Sequence, residues 1–147
     1  MAGSTAPVFK AALVDLLTAA PNLGGATPPV QVSYGFLPRD VERETIVVGN
    51  INWDTDEWFP LGAQKRNEVY GVSVYVFAQV PGGTQKEATE RALELMAEIE
   101  TLLQVPANIT LAGIQWLSTE LVQVSEAPYD EGHQAMAEAS VLVRARK

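Results

Sequence analysis

Cysteine is absent from this chain of 147 residues, and histidine occurs once. The first absence excludes disulfides, thiolate metal sites and thiol nucleophiles. It also fits a reducing compartment. Bases are scarce, with 10 Lys and Arg against 18 Asp and Glu and a net charge of −8. An acidic surface repels the phosphate backbone, so wrapping DNA by counterion release is not expected. Solubility, or a channel through which DNA slides without sticking, is compatible with that charge. No stretch approaches the ~20 consecutive apolar residues that span a bilayer, so no membrane partner is expected. Ala11 to Ala20 is mostly apolar, but no positive side chain precedes Lys10 and Asp15 interrupts the run. We expect a helix of the mature protein there rather than a signal peptide.

Periodic apolar patterning fills most of the chain, which at this length fits a single domain over residues 1–147. A helix is predicted from Thr5 or Ala6, with Pro7 in its first turn and Phe9, Leu13, Leu16 and Leu17 on one face. Pro21 stops it. Val30 to Phe36 alternates as a half-buried strand, and Thr45 to Asn50 holds the run Ile46-Val47-Val48 of a second strand. Asn52 to Arg66 is predicted to be a loop long enough to suggest a function. The next strand, Glu68 to Gln79, puts Tyr70, Val72, Val74, Val76 and Ala78 on one face. Val69, Ser73, Tyr75 and Phe77 lie on the other. We expect helices over one of these faces and a neighbouring molecule against the other.

Pro81-Gly82-Gly83 turns the chain into a helix from Thr84 to Leu103. Thr84 and Glu87 have the spacing of a capping box. Ala88, Ala92, Met96, Ile99 and Leu103 form a narrow apolar stripe. Two further strands are predicted, Ile114 to Ser125 and Gln134 to Arg146, reversing at Ala127 to Gly132. On the first, Ile114, Trp116, Val122 and Val124 share a face, with Leu117 and Leu121 opposite. On the second, alanines and valines from Ala135 to Ala145 face one way and leave room for a closely packed helix. The fold class expected is α/β in the broad sense, or α+β. It is a mainly antiparallel sheet of about five strands with two main helices on one face.

Nothing in this layout has reactive spacing, and no enzyme activity, cofactor or metal is expected. His133 lies beside Asp130 and Glu131 but lacks a second imidazole or thiolate to complete a metal site. Asp54, Asp56 and Glu57 open like a calcium loop, but Trp58 stands where the fifth-position oxygen belongs. Pro81 to Lys86 lies where a phosphate loop would, without the Walker spacing and with Glu87 set to repel an anion. Gly71 to Tyr75 lacks the second glycine of a nucleophile elbow.

Interface chemistry is better represented. The loop carries Trp53, Trp58, Phe59 and Leu61 with Lys65 and Arg66, the aromatic and arginine mixture of protein contacts. For Trp53 and Trp58 the competing reading is a lid folded back on the sheet. Tyr75 belongs to the sheet face expected to meet a neighbour. Arg144 and Arg146, with Lys147, make a basic end able to pair with an acidic partner. A solvated tail is the other reading of that end.

Several segments taken in order resemble the tail terminator proteins (tail completion, minor tail proteins) of long-tailed phages, the siphophages. They are Trp58-Phe59-Pro60-Leu61-Gly62-Ala63-Gln64-Lys65-Arg66-Asn67-Glu68, the strand Val72 to Val80, Gly82-Gly83, and Arg91-Ala92-Leu93-Glu94-Leu95-Met96. The leading Ala11-Ala12-Leu13, Leu111-Ala112-Gly113 ahead of a strand, and the closing Ala139 to Arg146 fit the same order. Ala107-Asn108-Ile109-Thr110 departs from the family, where an acidic residue and proline often precede the glycine.

The resemblance implies an α/β sandwich and a homo-oligomer, a hexameric ring capping the tail tube. Such a ring stops tube polymerisation and offers a joining surface to the neck or head completion protein. Genomic DNA would pass its lumen without specific binding. The implied location is the head-proximal end of the virion tail, after assembly in the host cytoplasm. Alternatives are a head–tail connector or neck completion protein and, from a different class, a small-molecule-binding α/β domain.

Overall fold

A computed structural model describes residues 4–27, 29–35, 44–53 and 67–146. In chain order the elements are α1 (Ala6–Ala19), β1 (Gln31–Tyr34), β2 (Glu44–Trp53), β3 (Asn67–Pro81), α2 (Gln85–Leu103), β4 (Thr110–Leu111), β5 (Ile114–Tyr129) and β6 (Gly132–Arg146). A single 3₁₀ turn, Pro106–Asn108, links α2 to β4.

Local chemistry explains both helices. Proline sits in the first turn of α1, where its missing N–H removes no helical bond. Phe9, Leu13 and Leu17 are buried on one side. Thr84 caps α2 by accepting the Glu87 N–H at 3.2 Å, which satisfies one of the four orphan donors of a helix start. Ala88, Ala92, Met96, Ile99 and Leu103 are buried as the stripe requires, and Leu95 joins them.

The strands form one six-stranded mixed sheet in the order β1-β2-β3-β6-β5-β4. This corrects the expectation of about five mainly antiparallel strands in two respects. First, β1 pairs with β2 in parallel, from Gln31 opposite Thr45 to Tyr34 opposite Val48. Apolar alternation is the same for either direction, so strand direction was not available from pattern. Second, β4 adds a two-residue edge through Thr110–Gln115 and Leu111–Ile114 pairing, too short to show any period. The sheet's backbone is the β3–β6 pair, in register from Asn67–Arg146 to Pro81–Gly132.

Both helices cover one face. Ile46, Val48, Tyr70, Val72, Val74 and Val76 point into that core, and Phe9 meets Tyr70 edge-on with centroids 6.4 Å apart. The alanine row of β6 (Ala135, Ala137, Ala139, Ala145) is buried beneath the helical layer. Small side chains here let the α2 backbone approach, so the row is close-packed and not a void. Ala137→Leu is therefore expected to overpack this layer and cost about 1–3 kcal/mol, measured as a lower midpoint in urea unfolding with an unchanged slope.

The opposite face is not wholly free, contrary to the simple division into a helix side and a partner side. Thr45, Val47 and Ser73 on it are buried within the chain, while Tyr75 and Phe77 are half-buried. Arg91 of α2 clamps the near end of β2. Its guanidinium donates through Nη2 to Glu44 Oε1 at 3.2 Å and through Nε to Glu44 Oε2.

Candidate assembly surface

Two features stand out among the described residues: a buried carboxylate that gathers three segments, and a long strand that stays open.

The carboxylate is Glu68, at the start of β3 and only 4% exposed. It accepts the Thr5 backbone N–H at 2.9 Å and the Thr5 hydroxyl at 3.0 Å. The Trp53 indole N–H donates to it at 2.9 Å, and the Ser4 hydroxyl also donates. Tyr70 shares the Thr5 hydroxyl at 3.0 Å. Glu68 therefore holds the N-terminus of α1 to the end of β2 and the beginning of β3. An anion at a helix start is favoured by the unpaired N–H groups and the helix dipole. Burial pushes the Glu68 pKa up, but the hydrogen bonds from Ser4, Trp53 and Thr5 outweigh it and leave it below the 4.5 of an ordinary glutamate. The same environment raises the Tyr70 phenol, chiefly through burial.

Trp53 is thereby placed. It ends β2, extending that strand beyond the predicted Asn50, and stacks at a tilt on Tyr70 with centroids 6.4 Å apart. Its ring is still 52% exposed. Anchored on one side and open on the other, Trp53 combines the lid and the contact readings. Of the other site candidates, Tyr75 lies on the outer sheet face opposite Val47 and Glu138. Arg144 is exposed at the far end of β6, opposite Val69. Arg146 pairs with Asn67 through its backbone, and its side chain lies outside the described residues. So do Trp58, Phe59, Leu61, Lys65 and Arg66, together with Asp54, Asp56 and Glu57. Trp53, Tyr75 and Arg144 are thus distributed along the sheet and do not form one cluster.

The open strand is β5. Only Ile114 and Gln115 pair outward, with β4. From Trp116 to Tyr129 its inner edge pairs with β6; on its outer side the Trp116 N–H donates to the Ile109 carbonyl at 3.4 Å, and beyond that no described strand pairs with it. Two bulges interrupt the β6 ladder, between Trp116 and Ser118 and between Leu121 and Gln123. The residues squeezed out are Leu117 and Val122, which are 49% and 54% exposed. The bulges also correct the expected alternation: Leu121, expected opposite Trp116 and Val124, pairs with Ala139 and so shares their face. A bulge bends its strand and leaves one residue out of the ladder, and here each leaves out an apolar group that is exposed. Leu121 is exposed between them. Adjacent apolar pairs, Trp116-Leu117 and Leu121-Val122, were the sequence trace of this break in period two.

Beside β5 the outer face has a shallow groove of about 250 Å³ lined by Phe77, Gln79, Ser125, Ala127, Gln134 and Met136. Glu126 lines it too, and accepts from the Thr89 hydroxyl at 2.6 Å. His133 is occupied differently: its Nδ1 lies 2.8 Å from the Gly83 carbonyl oxygen, tying the β5–β6 turn to the turn before α2. Among the described residues no group of three or more His, Asp or Glu is arranged to hold a metal. His133→Ala is expected to loosen that tie at a cost of about 1 kcal/mol, read as faster amide exchange at Gly82 and Gly83.

No protein-family model and no curated protein matches this sequence. The fold does have a solved counterpart. A chain from the virion of a native gene transfer agent particle superposes with a TM-score of 0.62, covering 98% of this chain and 100% of that one. Identity between the two is 14%, so the likeness is one of fold.

Proposed function

We propose that this chain is a structural protein of a phage-type virion, and more specifically a tail terminator. In this reading copies assemble into a ring, taken as a hexamer, that caps the tail tube and stops its growth. The ring joins the tube to the neck or head completion protein at the head-proximal end, and DNA passes through its acidic lumen without specific binding. The chain acts as a scaffold and catalyses nothing.

The observation that carries the proposal is the end-to-end fold match with a gene transfer agent virion chain. The order of tail-terminator-like segments along the sequence supports the finer assignment. So does the apolar surface left on β5 after the chain has folded, because exposed edges of this kind promote association.

The test is direct. Native mass spectrometry of the purified chain should show a closed ring, and electron microscopy with tail tubes should show it seated on tube ends. Seating on the portal side would transfer the assignment to a connector. A strictly monomeric chain that ignores both would end the proposal. Trp58→Ala, or Lys65→Glu with Arg66→Glu, is expected to weaken assembly by roughly tenfold or more while leaving the melting temperature within about 2 °C. Equal losses of assembly and thermal stability would remove these residues from the interface.

A further inference from the structure

We propose that copies of this chain meet head to tail, the open edge of β5 in one copy docking on the open edge of β1 in the next. The inference rests on the ring-forming reading above and names the surfaces that make the ring.

Sheet edges left unpaired recruit other strands, and monomeric proteins usually guard them with lysine, proline or an inward charge. β5 carries no Lys or Arg along its 16 residues, and its one proline, Pro128, stands next to the turn. Its bulges do not serve as guards in the ordinary way. Each leaves a leucine or valine out of the ladder, and Leu117, Leu121 and Val122 are exposed apolar side chains along the outermost long strand. The charges along the strip are acidic only, Glu120 and Glu126.

The other end of the sheet has the matching chemistry. Among the described strands β1 pairs only with β2, so no described strand lies on its far edge. Tyr34 ends that strand 51% exposed, and the Lys10 ammonium sits 4.1 Å from its ring centre. Lys10 is itself only 8% exposed, so the edge offers an aromatic surface, and β1 carries no acid to repel the glutamates of the β5 strip. Pairing β5 with β5 of a second copy would instead set glutamates against glutamates with no base between them, which is unfavourable across strands. Contact between two different edges is heterologous, and heterologous contacts close into rings when the rotation permits. An isologous contact would stop at a dimer.

The test uses two variants of the full chain, Leu117→Lys with Val122→Lys for the β5 edge and Tyr34→Glu for the β1 edge. All three positions are exposed, so melting temperatures should stay within about 3 °C of the parent. Native mass spectrometry should find a ring for the parent and monomers for each variant alone. Mixed, the two variants should give a 1:1 dimer, because each retains the edge the other has lost. A serine pair, Leu117→Ser with Val122→Ser, should weaken association roughly tenfold, and it replaces the lysine pair if that variant fails to melt cooperatively. A parent ring that persists in the β5 variants overturns the inference and leaves the ring-forming reading standing. Dimers of Tyr34→Glu alone overturn it in favour of β5 self-pairing. A parent that is monomeric overturns both.

Discussion

Glu68→Ala is expected to lower stability by about 3 kcal/mol, a fall of roughly 10 °C in melting temperature for a domain of this size. The substitution removes one acceptor and strands four donors: the Ser4 and Thr5 hydroxyls, the Thr5 backbone N–H and the Trp53 indole. Hydrogen bonds to a charged acceptor are the stronger kind, and losing one partner leaves the others with their full desolvation cost. Glu68→Gln keeps the shape but loses the charge and turns one acceptor into a donor, so about half the effect is expected.

The pH dependence follows from the direction of the shift. A carboxylate whose folded pKa lies below its unfolded one stabilises the fold above the unfolded value. That contribution is lost as the pH falls through the folded value. The native chain should therefore lose stability relative to Glu68→Gln as the pH falls below the 4.5 of an ordinary glutamate. Urea melts of both proteins across that range check it. Parallel curves would mean that Glu68 is not held as an anion by its donors.

Gly132→Ala should be nearly as damaging, at about 2–4 kcal/mol. A Cβ at this position would lie 2.4 Å from the Val80 carbonyl oxygen and 2.8 Å from the Gly82 backbone nitrogen. Neither is the flexible end of a side chain, so the backbone itself must move. The crowding comes from β3 and β6 closing against each other at the Pro81–Gly132 pair, where the Gly82 N–H also donates to the Glu131 carbonyl at 2.7 Å. Displacing that junction disturbs the turn before α2 and the β5–β6 turn together. Thermal unfolding measures the loss. A near-neutral outcome would show that the two turns are not rigidly coupled.

Both sites hold surface elements in position, which links these effects to the proposed assembly. Glu68 fixes Trp53, the one tryptophan among the described interface candidates. The Gly132 junction fixes the hairpin whose outer strand is β5. A ring built from strand edges needs such rigidity, since each copy must present its two edges at a constant angle for the ring to close.

Much of the candidate surface was legible in part. Trp53 could be read as an interface residue from the composition around it, but not as the partner of a glutamate fifteen positions later. Tyr75 could be assigned to the outer face of its strand from alternation alone. The exposure of Leu117 and Val122 was hidden, because they have the composition of core residues and it is the bulges that leave them out of the ladder.

The sequence by itself determined what depends on near neighbours. The helix from Thr84, its threonine cap, the alternating faces of β3 and the absence of thiol chemistry all follow from residues within a few positions of one another. Tertiary structure alone decided which strands pair and how. The parallel β1–β2 contact, the two-residue β4 edge, the bulges and the convergence of Ser4, Thr5 and Trp53 on Glu68 join segments separated by up to 64 positions. Side-chain period carries no information on the direction or register of a distant partner. Those are set when the whole core closes and each buried polar group must find an acceptor or donor within it.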